Sequence, residues 1–448
     1  MSLPPGPSDP AIVQTLQWFL DPIDYLEELH GKYGDIFTLS VGWNFSPIVF
    51  VSHPNAIEKI LTTRQEHFQG ELETKKFIEP FIGASSLVTL IGERHAQRRK
   101  LLKPQFHGDQ VSSYSRWICD ITEQFIEHLT PGIQFCACSL MENLTSKIAV
   151  DLLLGESKNQ DLQKLDALLK ELLSIVTTPF SATWLFFPAL QQDWNQWSSW
   201  GRFVRLQKQI DAAIYKEIAE RRKNNDVALN DILGLMMSAR DEHGKTLTDR
   251  ELRNELLSLF FSGYQTTGIS ITVVLFWIYH LPNIYQKVMA ELDTLGSDPD
   301  PMAVAKLPYL NAVCQESLRI FSVTPITSMR SVVKTVDIMG YKLEPETKVT
   351  CCFHLTHQRP DIYPEPHKFK PERFLERKFS QYEYLPFGGG NRRCIGEALA
   401  LLEMKLVVGT ILSRYHLELC DRLPLKTQRR SFLLAPASGV KMRLLGRR

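Results

Sequence analysis

The stretch FGGGNRRCIG, residues Phe387–Gly396, is the densest chemical signal in this chain of 448 residues. Three consecutive glycines let the backbone fold tightly, with its amides pointing inward. Cys394 follows them at the start of an apolar-periodic helix, where the helix dipole and unpaired N–H groups favour a thiolate. A thiolate binds metal, whereas most isolated cysteines are buried structural thiols. The ten-residue context favours the metal ligand.

Two neighbours of Cys394 indicate the kind of ligand that lies beside the sulfur. Gly396 leaves no side chain on the adjacent helix face, as the close approach of a large planar group requires. Arg392 offers a cation to the acidic groups of such a ligand. The stretch therefore predicts a site for a flat, acidic, metal-containing group.

Outward from this stretch, the hydrophobic pattern predicts a mainly α protein with small β sheets. A capping box, Thr248–Glu251, opens a helix of about 33 residues that ends before Pro282, and at ~1.5 Å per residue it measures roughly 50 Å. Other expected elements are β runs at 33–39, 48–51, 332–333 and 348–350, helices at 309–321 and 395–414, and a hairpin over 431–445 that turns at Gly439.

With these motifs the chain resembles the cytochrome P450 family, whose haem-binding signature is Phe-x-x-Gly-x-Arg-x-Cys-x-Gly. Every fixed position of that signature is present in Phe387–Gly396. The family's Glu-x-x-Arg helix is matched by Glu316 and Arg319, and its third charged member by Arg373. Alone, Glu-x-x-Arg is more often a solvated pair, since the two charges share one helix face. The resemblance implies the P450 fold, with the long helix crossing the haem.

The resemblance also implies a role for each matching residue. Cys394 is the axial thiolate of haem b, and Phe387 and Gly396 lie against the haem. The propionates are bound by Arg330 and Arg392 and by the i,i+4 pair His95 and Arg99, a pair that elsewhere is usually a surface feature. His95 stands where many members have Trp.

On the long helix, Ser262–Thr267 resembles the family's oxygen-activation segment. Gly263, Thr266, Thr267 and Ser270 share one small, polar face by their spacing. Thr266 and Thr267 are the matching alcohols, although Ser/Thr back-bonding alone would also explain them. Gln265 stands where an acid is common, and a carboxamide can orient water but cannot release a proton. Either water reaches Thr266 by another route, with Glu255 as a candidate source, or proton delivery is slower.

Composition also indicates the class of protein and its cellular location. Lys and Arg total 51 and Asp and Glu total 50, and this balance disfavours a nucleic-acid binder. The eight cysteines are sparse, the N-terminus lacks a signal pattern, and Ser262–Gly268 interrupts the most apolar segment. We therefore expect a cytoplasmic protein without a transmembrane anchor, built as one domain over residues 1–448.

Further expectations concern partners. Apolar residues at 77–90 and the tryptophan-rich segment 184–200, which the resemblance places in the lid, imply a lipophilic substrate such as a long-chain fatty acid or terpenoid. The aromatic segment also allows weak membrane contact. The cations Arg98, Lys100, Lys103 and Arg393 are expected to form a docking face for an acidic ferredoxin or flavodoxin, which a reductase supplies with electrons.

The resulting prediction is a haem-thiolate monooxygenase that splits dioxygen and oxygenates the substrate. A haem-thiolate peroxygenase or isomerase is an alternative, because neither needs a proton relay and Gln265 would then be explained. A haem-binding sensor without turnover is a second alternative. The retained Thr266 and Thr267 favour the monooxygenase.

Overall fold

The structure of the protein is a computed structural model. It describes residues 3–42, 45–62, 67–70, 72–155, 160–177, 192, 198–224, 231–421, 424–430 and 432–448. Within these residues helices predominate and the strands are short, so the prediction of a mainly α protein with small β sheets is confirmed.

The helices, numbered along the chain, are α1 (Ala11–Leu20), α2 (Pro22–Tyr33), α3 (Pro54–Thr62), α4 (Leu72–Ile82), α5 (Gly92–Leu102), α6 (Gly108–Ser113), α7 (Ser115–Glu127), α8 (Ala137–Leu154), α9 (Gln160–Thr177), α10 (Ser199–Asn224), α11 (Ile232–Ser238), α12 (Asp249–His280), α13 (Pro282–Asp293), α14 (Pro301–Ala305), α15 (Pro308–Ile320), α16 (Phe353–His357), α17 (Arg373–Glu376) and α18 (Glu397–Arg414). The strands are β1 (Ile36–Ser40), β2 (Pro47–Val51), β3 (Phe68–Gly70), β4 (Gln134–Cys136), β5 (Arg330–Val332), β6 (Val336–Ile338), β7 (Tyr341–Leu343), β8 (Lys348–Cys351), β9 (Tyr415–Leu419), β10 (Thr427–Arg430), β11 (Leu433–Pro436) and β12 (Lys441–Arg447).

The contacts divide the chain into two compact units. Unit 1 comprises residues 1–74, 115–141 and 267–448, and unit 2 comprises residues 75–114 and 142–266. Every described strand belongs to unit 1, while the described part of unit 2 is helical. The assignment of all 448 residues to a single domain stays a prediction.

Unit 1 is organised around a five-stranded sheet with the order β1-β2-β8-β5-β3. β2 and β8 pair in parallel, with Ile48 opposite Lys348, and the remaining neighbours are antiparallel. An apolar cluster joins Val49 of β2 and Val349 of β8 to Leu61, Phe353 and Leu385. This cluster matters for the site, because Leu61 and Leu385 flank the glycine-rich stretch.

The expected hairpin over 431–445 is wrong in its pairing. Gly439 does occupy a turn with φ +71, but β11 pairs with β10, and β12 pairs with β4 and β9. At Gly439 an added Cβ would lie 2.5 Å from Sγ of Cys136, so the turn packs closely against β4. Long-range partners therefore replace the local pairing.

Helix α12 confirms the long helix expected from the sequence. The Thr248 N–H donates to Oε2 of Glu251 at 3.0 Å, and the Glu251 N–H donates to Oγ1 of Thr248 at 3.3 Å, which closes the capping box. Pro282 then opens α13. By length and composition α12 could cross a membrane, but 67% of its apolar window is buried within the protein, as in a core helix.

In unit 2 a buried arginine ties three segments together. Arg221 on α10 donates to Asp231 and Glu217, at 2.7 Å each, and to the carbonyl of Leu154. Asp231 also caps α11 by accepting from the Gly234 N–H at 2.8 Å. Because each polar atom has a partner, the charge is accommodated inside the helical unit.

Candidate functional site

The glycine-rich stretch forms a tight loop whose backbone packs on the end of α3. Gly388 and Gly390 take φ values of +69 and +63, in the left-handed region. A Cβ at Gly390 would lie 2.3 Å from the carbonyl oxygen of Leu61, so this position excludes any side chain. The loop closes where the Cys394 N–H donates to the carbonyl of Phe387 at 2.8 Å. Glycine therefore holds Cys394 in position.

Cys394 is exposed and lies two residues before Gly396, the N-cap of α18, so the helix begins slightly later than the sequence predicts. Phe387 is half-buried, whereas Arg392 is exposed at the end of a 3₁₀ turn, Gly390–Arg392. At Gly396 an added Cβ would lie 4.0 Å from Sγ of Cys394, with no other heavy atom within 4 Å. The space beside the sulfur is therefore open on the side of Gly396.

A buried charge network holds the segment that leads into this loop. Nε and Nη2 of Arg319 donate to the two oxygens of Glu316 at 2.7 and 2.9 Å, and Nε of Arg373 donates to Glu316 at 3.1 Å. The remaining donors of Arg319 reach the carbonyls of His357 and Pro366, both at 2.7 Å. The pair is thus a buried structural element rather than a solvated helix pair.

Arg330 begins β5 in unit 1. Its Nη1 donates to the carbonyl of Ile60 at 2.8 Å, and no carboxylate among the described residues lies within ion-pairing distance. Burial lowers the pKa of this guanidinium. A half-buried cation without an acid partner among the described residues can bind an anionic group.

On α12 the segment around Thr266 presents a small, open face. Gly263 is exposed, and an added Cβ there would meet no heavy atom within 4 Å. Oγ1 of Thr266 donates to the carbonyl of Ser262 at 2.8 Å, so the back-bonding alternative is present in the structure. Thr267 is buried and Gln265 is half-buried. Thus Gly263 and Thr266 border open space, but Thr267 does not.

Glu255, the alternative proton source, is already engaged within unit 2. Its Oε1 accepts from Nη1 of Arg98 at 2.7 Å and its Oε2 accepts from the Leu87 N–H at 3.1 Å. Burial raises its pKa to about 6. It precedes Thr266 by three helical turns, roughly 16 Å along the axis. These contacts make Glu255 an anchor for α5 rather than a donor to Thr266.

His95 and Arg99 lie one turn apart on α5. His95 is buried and Arg99 is half-buried, so this pair is not the usual surface feature.

A family model described as Cytochrome P450 matches residues 4–442. The chain belongs to the cytochrome P450 family. Cytochrome P450 135B1 of Mycobacterium tuberculosis (strain H37Rv), whose name states no substrate, is 30% identical over 99% of this chain and 92% of that protein. Cytochrome P450 138 of Mycobacterium bovis is 26% identical over 98% of this chain and 96% of that protein. The solved structure described as "Retinoic acid bound cyanobacterial CYP120A1" has a TM-score of 0.82 and 25% identity, with 99% of both chains covered.

Membership of the P450 family makes this protein a haem-dependent monooxygenase with an axial cysteine thiolate. It uses dioxygen and receives electrons from a redox partner. The residues present fit such a cofactor: a thiol is exposed at Cys394, Gly396 leaves the adjacent space open, and Arg330 is a half-buried cation without a described acid partner.

The four cations expected at a docking surface differ in their exposure and in their ion pairs. Arg98 is buried and paired with Glu251 and Glu255, so its assignment to a docking surface is wrong. Lys103 is exposed, whereas exposed Lys100 lies 3.5 Å from Glu242 and Arg393 pairs with Glu397 at 2.6 Å. Local spacing did not reveal that Arg98 has acids on α12 as partners.

Most of the tryptophan-rich segment lies outside the described residues, including Trp184, Trp194 and Trp197. Trp200 is described and stacks on Phe203 near the start of α10, with ring centroids 5.5 Å apart. The apolar stretch at 77–90 is not simply a loop, because α4 extends to Ile82. Beyond it, Leu87 is buried and Val88 is exposed.

One arginine in contact with aromatic rings lies outside every sequence motif. Arg429 on β10 is a half-buried arginine beside α1, in a strand that reads TQRR and shows no distinguishing pattern. Only its tertiary surroundings set it apart from neighbouring Arg430.

Proposed function

We propose that this cytochrome P450 oxygenates a lipophilic small molecule, a long-chain fatty acid or a terpenoid, with electrons from a ferredoxin or flavodoxin and its reductase. The observation that carries the site assignment is the exposed thiol of Cys394 in a loop whose shape requires glycine. The description of CYP120A1 as bound to retinoic acid, an isoprenoid acid, supports the terpenoid class.

The proposed roles follow the family motifs residue by residue. In unit 1, Cys394 is the axial ligand, Phe387 and Gly396 lie against the haem, and Arg330 and Arg392 bind propionates. In unit 2, His95 and Arg99 bind propionates. When bound, the haem supplies dioxygen activation and oxygen insertion. We further propose that the whole chain functions as one domain and is cytoplasmic, which agrees with the absence of a disulfide among its eight described cysteines.

Proton transfer is assigned to the hydroxyl of Thr266. Oγ1 donates to the carbonyl of Ser262, and rotation about χ1 would free this proton while the exposed Gly263 leaves room for water beside it. Gln265 orients that water but supplies no proton. Thr267 is buried at 5% exposure, so its role is to shape the helix and not to contact oxygen directly.

Gln265 also favours a second candidate, a haem-thiolate peroxygenase, because peroxide brings its own protons. The two functions differ in what drives product formation. We expect product from a panel of fatty acids and terpenoids with reduced ferredoxin and its reductase, and little with hydrogen peroxide alone. Turnover supported only by peroxide would contradict the monooxygenase reaction with this panel. Absence of both, with intact haem, would favour a sensor.

A further inference from the structure

Arg429 is a cation held on aromatic rings at the edge of unit 1. Its guanidinium carbon lies 4.7 Å from the ring centroid of Trp18 and 5.4 Å from that of Phe19, and its Nη2 donates to the carbonyl of Trp18 at 3.0 Å. Its Nε is buried without a hydrogen-bond partner, and no carboxylate in the described part of the chain pairs with the guanidinium. Burial lowers its pKa to about 10, so the side chain remains charged at neutral pH.

The surface beside this cation is apolar. Helix α1 exposes Ile12, Leu16, Phe19 and Leu20, with fractions of 59, 55, 52 and 81%. Their spacing places them along one side of the helix, and Phe432, just beyond β10, is 60% exposed. The helix has only ten residues, which is too short to span a bilayer. A charge beside an apolar stripe complements an amphiphile with one anionic end.

The strand pairing links this surface to α12. Arg429 lies opposite Leu434 in the β10–β11 register, so their side chains share one face of the ribbon. Leu434 packs in a cluster with Ile269 and Val273, one to two turns after Thr266 on α12. Its N–H also donates to the carbonyl of Val323 at 2.9 Å. The same ribbon thus carries the cation at one side and contacts the helix of the proposed oxygen-activation segment.

From these contacts we propose that Arg429 binds the carboxylate of an amphipathic monocarboxylic acid, whose hydrocarbon chain lies against the exposed side chains of α1. The assignment rests on the proposed function and narrows its substrate class from lipophilic molecules in general to lipophilic acids. A purely structural arginine would need only its contacts with Trp18. Among the described residues Arg429 makes its one hydrogen bond through Nη2, so Nη1 retains donors that a carboxylate would satisfy.

The experiment compares acids with neutral analogues on the holoenzyme at pH 7.5. The probes are retinoic acid and retinol, and palmitic acid and hexadecan-1-ol, with dissociation constants from equilibrium dialysis. We expect each acid to bind the unmodified protein about tenfold or more tightly than its alcohol, because one charge-assisted hydrogen bond contributes about this much to binding. Arg429→Met, which keeps an unbranched stem on the rings, should abolish this preference, and Arg429→Lys should retain part of it.

The neutral analogues provide the internal control, because unchanged binding of retinol or hexadecanol shows that Arg429→Met still folds. Arg443→Met is the matched control, since Arg443 carries the same charge on β12 and pairs with Glu418 at 3.2 Å. An acid preference that survives in Arg429→Met would overturn the assignment, as would equal binding of acids and alcohols in the unmodified protein. Arg429-dependent binding only to phosphatidylglycerol vesicles would also overturn it. If none of the four compounds binds, both the proposed substrate classes and the assignment of Arg429 are wrong.

Discussion

The carboxylate of Glu316 is bound by Arg319 through two hydrogen bonds of 2.7 and 2.9 Å, and both side chains are fully buried. Arg373 contributes a third bond to the same carboxylate. Because these charges are buried away from water, they stabilise the fold only while every member of the network is paired. Removal of one member leaves the others charged and unpaired.

Glu316→Ala should therefore lower the free energy of unfolding by about 3–5 kcal/mol, because Arg319 and Arg373 lose their counter-charge in the interior. Urea unfolding followed by circular dichroism measures the change. The control is Glu365→Ala, which removes the acid of an exposed pair with Lys368 at the same i,i+3 spacing. We expect no measurable change for the control, and equal effects of the two variants would contradict the buried-network interpretation.

Cys394→Ser should abolish the thiolate-type absorption of the reduced carbon-monoxide complex, because a serine hydroxyl does not replace the thiolate as axial ligand. The control is Cys420→Ser, which alters a half-buried thiol outside the glycine-rich loop. A thiolate-type spectrum that persists without Cys394 would refute its assignment as the axial ligand.

The two glycines on either side of Cys394 should respond differently to alanine. Gly390→Ala brings a Cβ within 2.3 Å of the Leu61 carbonyl at φ +63, so we expect reduced stability even without haem. Gly396→Ala meets only Sγ of Cys394, at 4.0 Å, so the apoprotein should keep its stability and lose haem affinity. Apoprotein melting and haem-to-protein ratios separate the two effects. Equal haem content in Gly396→Ala and unmodified protein would show that Gly396 does not face the haem.

Thr266→Ala should lower product formed per electron pair by at least about tenfold, with the missing electrons recovered as hydrogen peroxide, because positioned proton donors contribute this much or more. Gln265→Glu should raise the yield, since a carboxyl group can release a proton. Thr272→Ala is the control, because Thr272 also bonds a carbonyl one turn back, that of Gly268, but is buried. A yield unaffected by Thr266→Ala would remove Thr266 from the proton path.

Glu403 on α18 gives a prediction for stability against pH. Burial raises its pKa to about 8, well above the ordinary 4.5. Between these values the unfolded chain loses a proton that the folded chain keeps, so stability falls as pH rises, by up to ~1.4 kcal/mol per pH unit. In Glu403→Gln the urea midpoint should depend less on pH between pH 5 and 8 than in the unmodified protein. Identical slopes in both proteins would show that Glu403 ionises normally.

The sequence predicts best those features whose partners are local. The glycines that precede Cys394 form the expected tight loop, and Glu316 and Arg319 pair within α15. In each of these features the interacting residues are only a few positions apart. The capping box at Thr248 succeeds for the same reason.

Features set by distant parts of the chain could not be predicted. Arg98 has the sequence context of a surface cation, but Glu251 and Glu255 of α12 pair with it inside unit 2. The hairpin expected at Gly439 failed because β4 and β9 compete successfully for β12. Arg429 differs from Arg430 only through the rings of Trp18 and Phe19, which are about 410 residues away along the chain.

The parallel pairing of β2 with β8 also constrains how the protein is made. Ile48 bonds next to Lys348, so the centre of the sheet cannot form until 300 further residues have been synthesised. At ~5–20 residues per second this delay is about 15–60 s. During that interval the apolar strands β1 and β2 have no β8 to cover their edge, which makes them a binding target for chaperones on the ribosome. The residues of unit 2 emerge earlier than β8, and its helical contacts are more local, so it can form first.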